Sequence, residues 1–307
     1  MKNLIKFLSI GSFCFALLNC AACSKEDEPQ GGDGGTVVEI NGKRISGIGD
    51  YSVEYDNEGR PASISTRYSD LIINYKKGTI QRIDTDGDEI ETINVKFSDG
   101  YISSFSQSWN YKDSYYQEKG SGKAEFKYSK GYLTQIKIQS EGEEKDFEDG
   151  TTEKFKETSE AKMSWNDGNM VSYVANGTEI EGNEKDNWTV NFSYTYGGQT
   201  NVFRQLPVCI SESWADESDL AILAALGLFG KGTSSLPIAM NYSETYNNDK
   251  DSYDYRVDIS LNADGSISHE EFMHSSVYYF YEDFTRADLN ADTPQFKPIF
   301  SVFRNRK

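Results

Sequence analysis

Histidine is almost missing from this 307-residue chain, at two residues, and cysteine and proline are scarce, at four and six. Each shortage excludes something. The two histidines sit in His269-Glu270-Glu271-Phe272-Met273-His274, five positions apart, so they cannot share the i, i+4 helix face of a zinc protease. Basic residues are outnumbered, 31 Lys+Arg against 49 Asp+Glu, for a net charge of −18. That balance leaves no surface for nucleic-acid phosphates and no charge attraction to an anionic lipid face. Long apolar runs are also lacking. The longest, Leu4 to Leu18, falls short of the roughly 20 residues a spanning helix needs.

The N-terminal run has another reading. Lys2 and Lys6, the apolar stretch and the small residues Ala21-Ala22-Cys23 are the three parts of a secretory signal. Cleavage before a lipidated cysteine favours a small preceding residue, which selects Ala22-Cys23 over Asn19-Cys20. Residues 1–22 are therefore expected to be a lipoprotein signal peptide, with Cys23 the lipidated residue and the lipid the contact with the membrane. Residues 23–36 are acidic and then glycine-rich, a tether of roughly 20 Å by random-coil scaling. Residues 37–307 are expected to form a single β-rich domain. After processing only Cys23 and Cys209 remain, so no disulfide framework can form. Cys209 has no partner motif and is expected to be a buried structural thiol. The tripeptide before Ser24-Lys25-Glu26-Asp27-Glu28 resembles lipoproteins of the Bacteroidota. In that group an acidic run after the cysteine implies the outer membrane, facing the cell exterior.

What the chain has in plenty is aromatics, 20 Tyr and 17 Phe, which suit pleated, half-buried strands. They recur in a pattern: an alternating strand ending on an aromatic, a polar glycine turn, and a second alternating strand. It runs through Tyr51 to Ile64 around Gly59, Ile73 to Ile80 around Gly78, and Val95 to Ile102 around Gly100. It returns through Phe126 to Leu133 around Gly131, Met163 to Met170 around Gly168 and, less cleanly, Phe192 to Gly198. Each copy reads as a β-hairpin, with glycine supplying the positive φ of a tight turn. The joins between hairpins lengthen along the chain. Asn110 to Gly122, Glu141 to Thr158 and Asn176 to Asn187 read as long polar loops at the opposite rim.

The expected fold class is all-β, an antiparallel up-and-down meander forming a curved sheet or soluble half-barrel. Lys127, Lys137 and Glu160 would be costly against lipid, so the apolar face should point inward. Something must fill that interior. Asp216 to Asp219 supply capping residues for Leu220 to Phe229, apolar nearly all round, so one buried helix over about 216–229 should plug the concave face. Gly230-Lys231-Gly232 is expected to stop it.

Glycine-turn hairpins followed by Leu226-Gly-Leu-Phe-Gly-Lys231 and Leu236-Pro237, behind a lipoprotein signal, resemble a family of Bacteroidota lipoproteins of unknown function with a porin-like β fold. The resemblance spans roughly residues 45 to 305. It implies no catalytic residue and no cofactor.

Chemistry is sparse in the sequence. Asp84-Thr-Asp86-Gly-Asp88-Glu89 alternates carboxylates, but Glu89 stands where a calcium loop needs glycine, and the stretch reads as a solvated hairpin tip. The turn Asn262-Ala-Asp264-Gly265 is a weaker case still. No metal ligands and no catalytic residues are assigned, and the many acidic residues single out no hydrolase pair. The segment Trp109-Asn-Tyr111-Lys-Asp-Ser-Tyr115-Tyr116-Gln is the most suggestive, because aromatic rings beside amides and acids suit a sugar. The candidate ligand residues are thus Trp109, Tyr111, Tyr115 and Tyr116. The expected role is a non-enzymatic surface lipoprotein presenting polar loops to a ligand or another surface protein. A glycan-binding accessory of a polysaccharide uptake system is the alternative, and a hydrolase using loop carboxylates is the third.

Overall fold

The computed structural model describes residues 43–84, 90–112, 114–148, 150–211, 218–273 and 275–283. They form an antiparallel sheet of seventeen strands, with neighbours in sequence lying side by side. The first five are short: β1 (Lys43–Ile48), β2 (Tyr51–Tyr55), β3 (Pro61–Ser65), β4 (Ser69–Asn74) and β5 (Thr79–Asp84). They lengthen through β6 (Ile90–Ser98), β7 (Tyr101–Lys112), β8 (Tyr116–Ser129), β9 (Tyr132–Asp146), β10 (Thr152–Asn166), β11 (Asn169–Glu181) and β12 (Glu184–Thr200). Two helices follow, α1 (Val208–Ser211) and α2 (Ser218–Ala225). The chain finishes with β13 (Ser235–Tyr246), β14 (Asp249–Arg256), β15 (Asp258–Leu261), β16 (Ile267–Phe272) and β17 (Ser275–Asp283).

The ends of the sheet meet, because β17 pairs with β1. An antiparallel ring can close only with an even number of passes. The odd count resolves at Val257, where β14 runs on into β15 without a turn and the Val257 N–H donates to the Ile238 carbonyl. The first half of this pass pairs with β13 and the second half with β16. Among the described residues the other edge of β14 carries no ladder partner, so the barrel is nearly rather than fully closed. Asp249, Lys250, Asp251 and Asp254 stand exposed along that edge, charges of the kind that keep a bare strand from pairing with another molecule.

The hairpin repeat is borne out in its first five copies. At Asp99-Gly100, Lys130-Gly131 and Asp167-Gly168 both central residues have φ between 50° and 82°, the turn whose twist matches that of paired strands. The aromatic that ends each strand has a further task. Where it is Tyr or Trp, its polar tip donates to a main-chain carbonyl of an earlier strand: Tyr55 to Ile45 at 2.6 Å, Tyr128 to Ile102 at 2.5 Å, Trp165 to Leu133 at 2.7 Å and Tyr196 to Met170 at 2.7 Å. Each ring is thus buried by its body and satisfied at its tip. The sixth copy is not a hairpin. Phe192 to Gly198 lies within β12, and the turn is replaced by the whole segment from 201 to 234.

The described residues of that segment form the plug. In α2 and the turn after it Ala221 to Phe229 are at most 4 % exposed, and Phe229 packs edge-on to Phe105 and Phe126 with ring centroids 5.8 and 4.9 Å away. The helix stops at Gly227 rather than at Gly230. With φ of 83°, Gly227 donates to the Ala224 carbonyl while Leu228 reaches back to Leu223, a left-handed helix cap closed by two leucines. The plug is tied by main-chain bonds to three glycine turns: Ile102 N–H to Leu228, Lys231 N–H to Gly131 and Ser234 N–H to Gly168. On its other side Glu270 of β16, wholly buried, accepts from Val208 N–H at 3.2 Å, Cys209 N–H at 3.0 Å and the Tyr279 hydroxyl at 2.5 Å. Cys209 is buried there and takes part in no disulfide.

The opposite rim overturns one expectation. Asn110 to Gly122, Glu141 to Thr158 and Asn176 to Asn187 are not long loops but mostly the upper parts of β7 to β12, with only two to five residues between consecutive strands at this rim. Alternation marks a strand only where one face is dry. Here the inner face is only partly dry, so polar residues occupy positions on both faces while the hydrogen-bonded ladder continues. The result is a short plugged ring with a tall wall, β7 to β14, rising from one side.

Candidate functional site

The inner face of the tall wall, continuous with the face that packs on the plug, is where chemistry collects. Its residues follow from the register without slippage: Trp109 of β7 pairs with Gly120 of β8, Gly120 with Gly142 of β9, and Gly142 with Phe155 of β10. The two outer members are large rings and the two inner ones have no side chain. The rings fold inward over the glycines and lie nearly parallel, centroids 6.1 Å apart and planes 25° apart. A Cβ on Gly120 would meet Trp109 Cζ2 at 2.3 Å, and one on Gly142 would meet Phe155 Cζ at 2.4 Å. Glycine in a strand interior commonly marks such a close approach. Lower on the wall Trp188 of β12 covers Gly177 of β11 in the same way, with Cε2 and Cζ2 both 2.2 Å from a Cβ placed there.

Polar groups frame these tiles. The Trp109 Nε1–H donates to Glu118 Oε1 at 2.5 Å. One layer toward the plug, Gln107, Gly122, Ser140 and Glu157 form the next cross-strand row, and its three polar members are buried. The side-chain oxygen of Gln107 accepts no hydrogen bond. Farther round, Asp186 accepts from the Tyr246 hydroxyl and from Asn247 Nδ2, and Glu244 accepts from the Tyr242 hydroxyl.

Charge is sorted between the two faces. On the outer face cations and acids interleave, with Lys119 2.8 Å from Glu143, Lys162 3.3 Å from Glu160 and Lys137 3.8 Å from the same Glu160. On the inner face Glu118 stands opposite Glu144 and Glu144 opposite Glu153, while Glu157 stands opposite Glu179 and Glu179 opposite Asp186. The proton affinities follow. Burial pushes the Glu118 carboxyl up, against the pull of the Trp109 hydrogen bond and with the help of the Glu144 charge. Outside, the hydrogen bond from Lys119 holds Glu143 below the usual range, and those from Gln135 and Lys162 do the same for Glu160.

Of the residues read from sequence, Trp109 is at the centre of this site. Tyr111 continues β7 and pairs through its main chain with Glu118. Tyr116 opens β8, half-buried on the same face as Glu118, while Tyr115 is 73 % exposed in the turn and apart from the tiles. Cys23 and the signal and tether segments lie outside the described residues, as do His274, the tip of the 84–89 turn and the segment from Pro298 to Phe303. His269 bonds Ser276 through Nε2 and stacks on Tyr278. Asp264 is occupied by Lys43 at 2.8 Å and by Ser266. The sequence reading missed Phe155, Trp188 and the four strand glycines. Those glycines, 120, 122, 142 and 177, were the available signal, and assigning them to loops concealed it.

No family model matches the chain, and no curated protein is similar to it in sequence. Solved structures that resemble it include two porin-like proteins. One is a porin-like protein from Bacteroides vulgatus, with 13 % identity and a TM-score of 0.48 over 78 % of this chain and 98 % of that one. The other is a porin-like protein from Bacteroides uniformis, with 13 % identity and a TM-score of 0.43 over 76 % and 90 %. Neither brings a residue or a role to this chain.

Proposed function

We propose that this protein is a non-enzymatic lipoprotein of the outer-membrane surface that holds a carbohydrate against the inner face of its tall wall. The observation that carries the reading is the nearly parallel pair of Trp109 and Phe155 on a glycine floor, with Glu118 bonded at its edge. A pyranose presents an apolar face that stacks on such a tile while carboxylates take its equatorial hydroxyls. The outer face of β8 to β10, with Lys119, Lys137, Lys156 and Lys162 exposed, is not a surface for lipid, where each lysine at mid-depth would cost about 2–4 kcal/mol. Membrane attachment then falls to the lipid on Cys23.

The anchor and the wall suit one another. The described chain enters at Lys43, beside Asp283 on the plugged rim, and the tall wall rises from the other rim. A tether from the membrane therefore leaves the sealed end, and the tiles face away from the bilayer. The test is a glycan array with wild-type protein and Trp109→Ala, with the fold of the variant checked by its urea midpoint. Binding by wild type, weakened about tenfold or more in the variant, is expected. A correctly folded wild type that binds no glycan would overturn the reading.

A further inference from the structure

The composition of the wall narrows the ligand. On β7 to β14 every described lysine, and Arg256, occupies an outward register position, from Lys119 and Lys123 on β8 to Lys185 on β12 and Lys250 on β14. The inward positions hold acids and aromatics instead. Like charges directly opposite on neighbouring strands are destabilising, and the outer face shows that this chain interleaves signs where only solubility is at stake. Two carboxylate rows, Glu118–Glu144–Glu153 and Glu157–Glu179–Asp186, bracket the tile of Trp109 and Phe155. A second, independent observation points the same way. Gln107, only 4 % exposed and turned to the same face, has a side-chain oxygen that accepts nothing. Acceptors dominate this face around its π-surfaces, although the buried Trp188 Nε1–H on it is a donor without an acceptor. What completes it is a donor with positive charge.

We infer, building on the carbohydrate reading above, that the wall selects a sugar chain bearing free amines, whose ammonium groups sit between the carboxylate rows and the rings. An ammonium gains from both, through charge-assisted hydrogen bonds to the acids and attraction to the ring faces. A uronic-acid or sulfated chain meets only like charge. The tile at Trp188 extends the strip. Gly177 pairs with Ser159, four residues along β10 from Phe155, which sets the two tiles roughly 13 Å apart along the strand direction. The ligand is thus an oligomer of several units rather than a single sugar.

The test is calorimetric titration of the protein with three oligosaccharides of equal length: a glucosamine oligomer with free amines, its N-acetylated form, and a galacturonate oligomer. Mildly acidic pH keeps the amines protonated. The free-amine oligomer should bind about tenfold or more tighter than the acetylated one, and galacturonate should not bind. Added salt and the double variant Glu144→Gln, Glu153→Gln should shrink that gap, while Trp109→Ala should weaken both binders. If the acetylated oligomer binds as well as the amine, or galacturonate binds, the charge selection is wrong, and the carbohydrate reading survives provided Trp109→Ala still weakens binding. If none of the three binds, both fall. A short polylysine peptide that binds as tightly as the amine sugar and ignores Trp109→Ala would overturn the inference in favour of a basic polypeptide.

Discussion

Replacing Glu270 by glutamine should remove a pH-dependent contribution to stability. Glu270 is wholly buried, and three donors converge on it from α1 and β17. Burial pushes its carboxyl above the ordinary range, and the hydrogen bonds from Tyr279, Cys209 and Val208 only partly oppose that. A carboxyl whose folded pKa exceeds its unfolded value binds more protons in the folded state between the two. Its contribution is therefore fully present below about pH 4.5 and is lost as pH rises through the folded value, at about 1.4 kcal/mol per unit of difference. Glutamine does not titrate. It keeps one oxygen for one main-chain amide and turns an NH2 toward the other, a mismatch worth about 1–3 kcal/mol. The variant should thus be less stable than wild type in acid and should recover ground, unit by unit, toward neutrality. Urea unfolding of both proteins by tryptophan fluorescence, from acid to neutral pH, reads this directly. A stability difference that does not move with pH, or wild type gaining on the variant as pH rises, would refute the buried-carboxyl reasoning.

Two further substitutions test the wall and the plug. Gly142→Ala places a methyl 2.4 Å from Phe155 Cζ and 2.5 Å from the Lys119 carbonyl, so it should cost about 1–3 kcal/mol and lift the ring, reducing glycan binding. Gly198→Ala meets nothing within 4 Å and serves as the neutral control in the same denaturation series. Leu223→Asp sets a carboxyl at a site 2 % exposed within the plug and should cost roughly 4 kcal/mol or more, seen as loss of the cooperative transition in circular dichroism. A soluble Leu223→Asp protein with an unchanged midpoint would show that the helix does not fill the barrel.

How legible all this was depended on water. Strands with one wet and one dry face, such as Tyr51–Tyr55 and its partners, announced themselves by alternation, and the turns between them by glycine beside Asp or Lys. Leu220 to Phe229 announced a buried helix because an apolar surface all round has no other resting place in a polar chain. The upper wall gave neither signal. Its inner face is only partly dry, so Glu141 to Lys145 and Glu153 to Lys156 carry the composition of loops while bonding as a ladder. Trp109 was legible as one residue, but its floor was not. The tile depends on register across four strands, and a one-residue slip would turn every member to the other face. The odd strand count was equally hidden, since the unbroken pass at Val257 differs from a turn only by the absence of one.

The seam where the ring closes has a consequence for how the chain matures. Arg44 and Glu282 lie side by side although 238 residues separate them, whereas every other ladder joins strands consecutive in sequence. Assembly can zip hairpin by hairpin from local contacts, and one closure of very large loop length remains for the end. During synthesis or export from the N-terminus, β1 waits with its outer edge bare until β17 has emerged. Ile45 and Ile48, with no exposure in the finished ring, wait with it. A chain cut before β17 would keep two open edges and no means of closing them on itself, which makes it a template for pairing with a second copy.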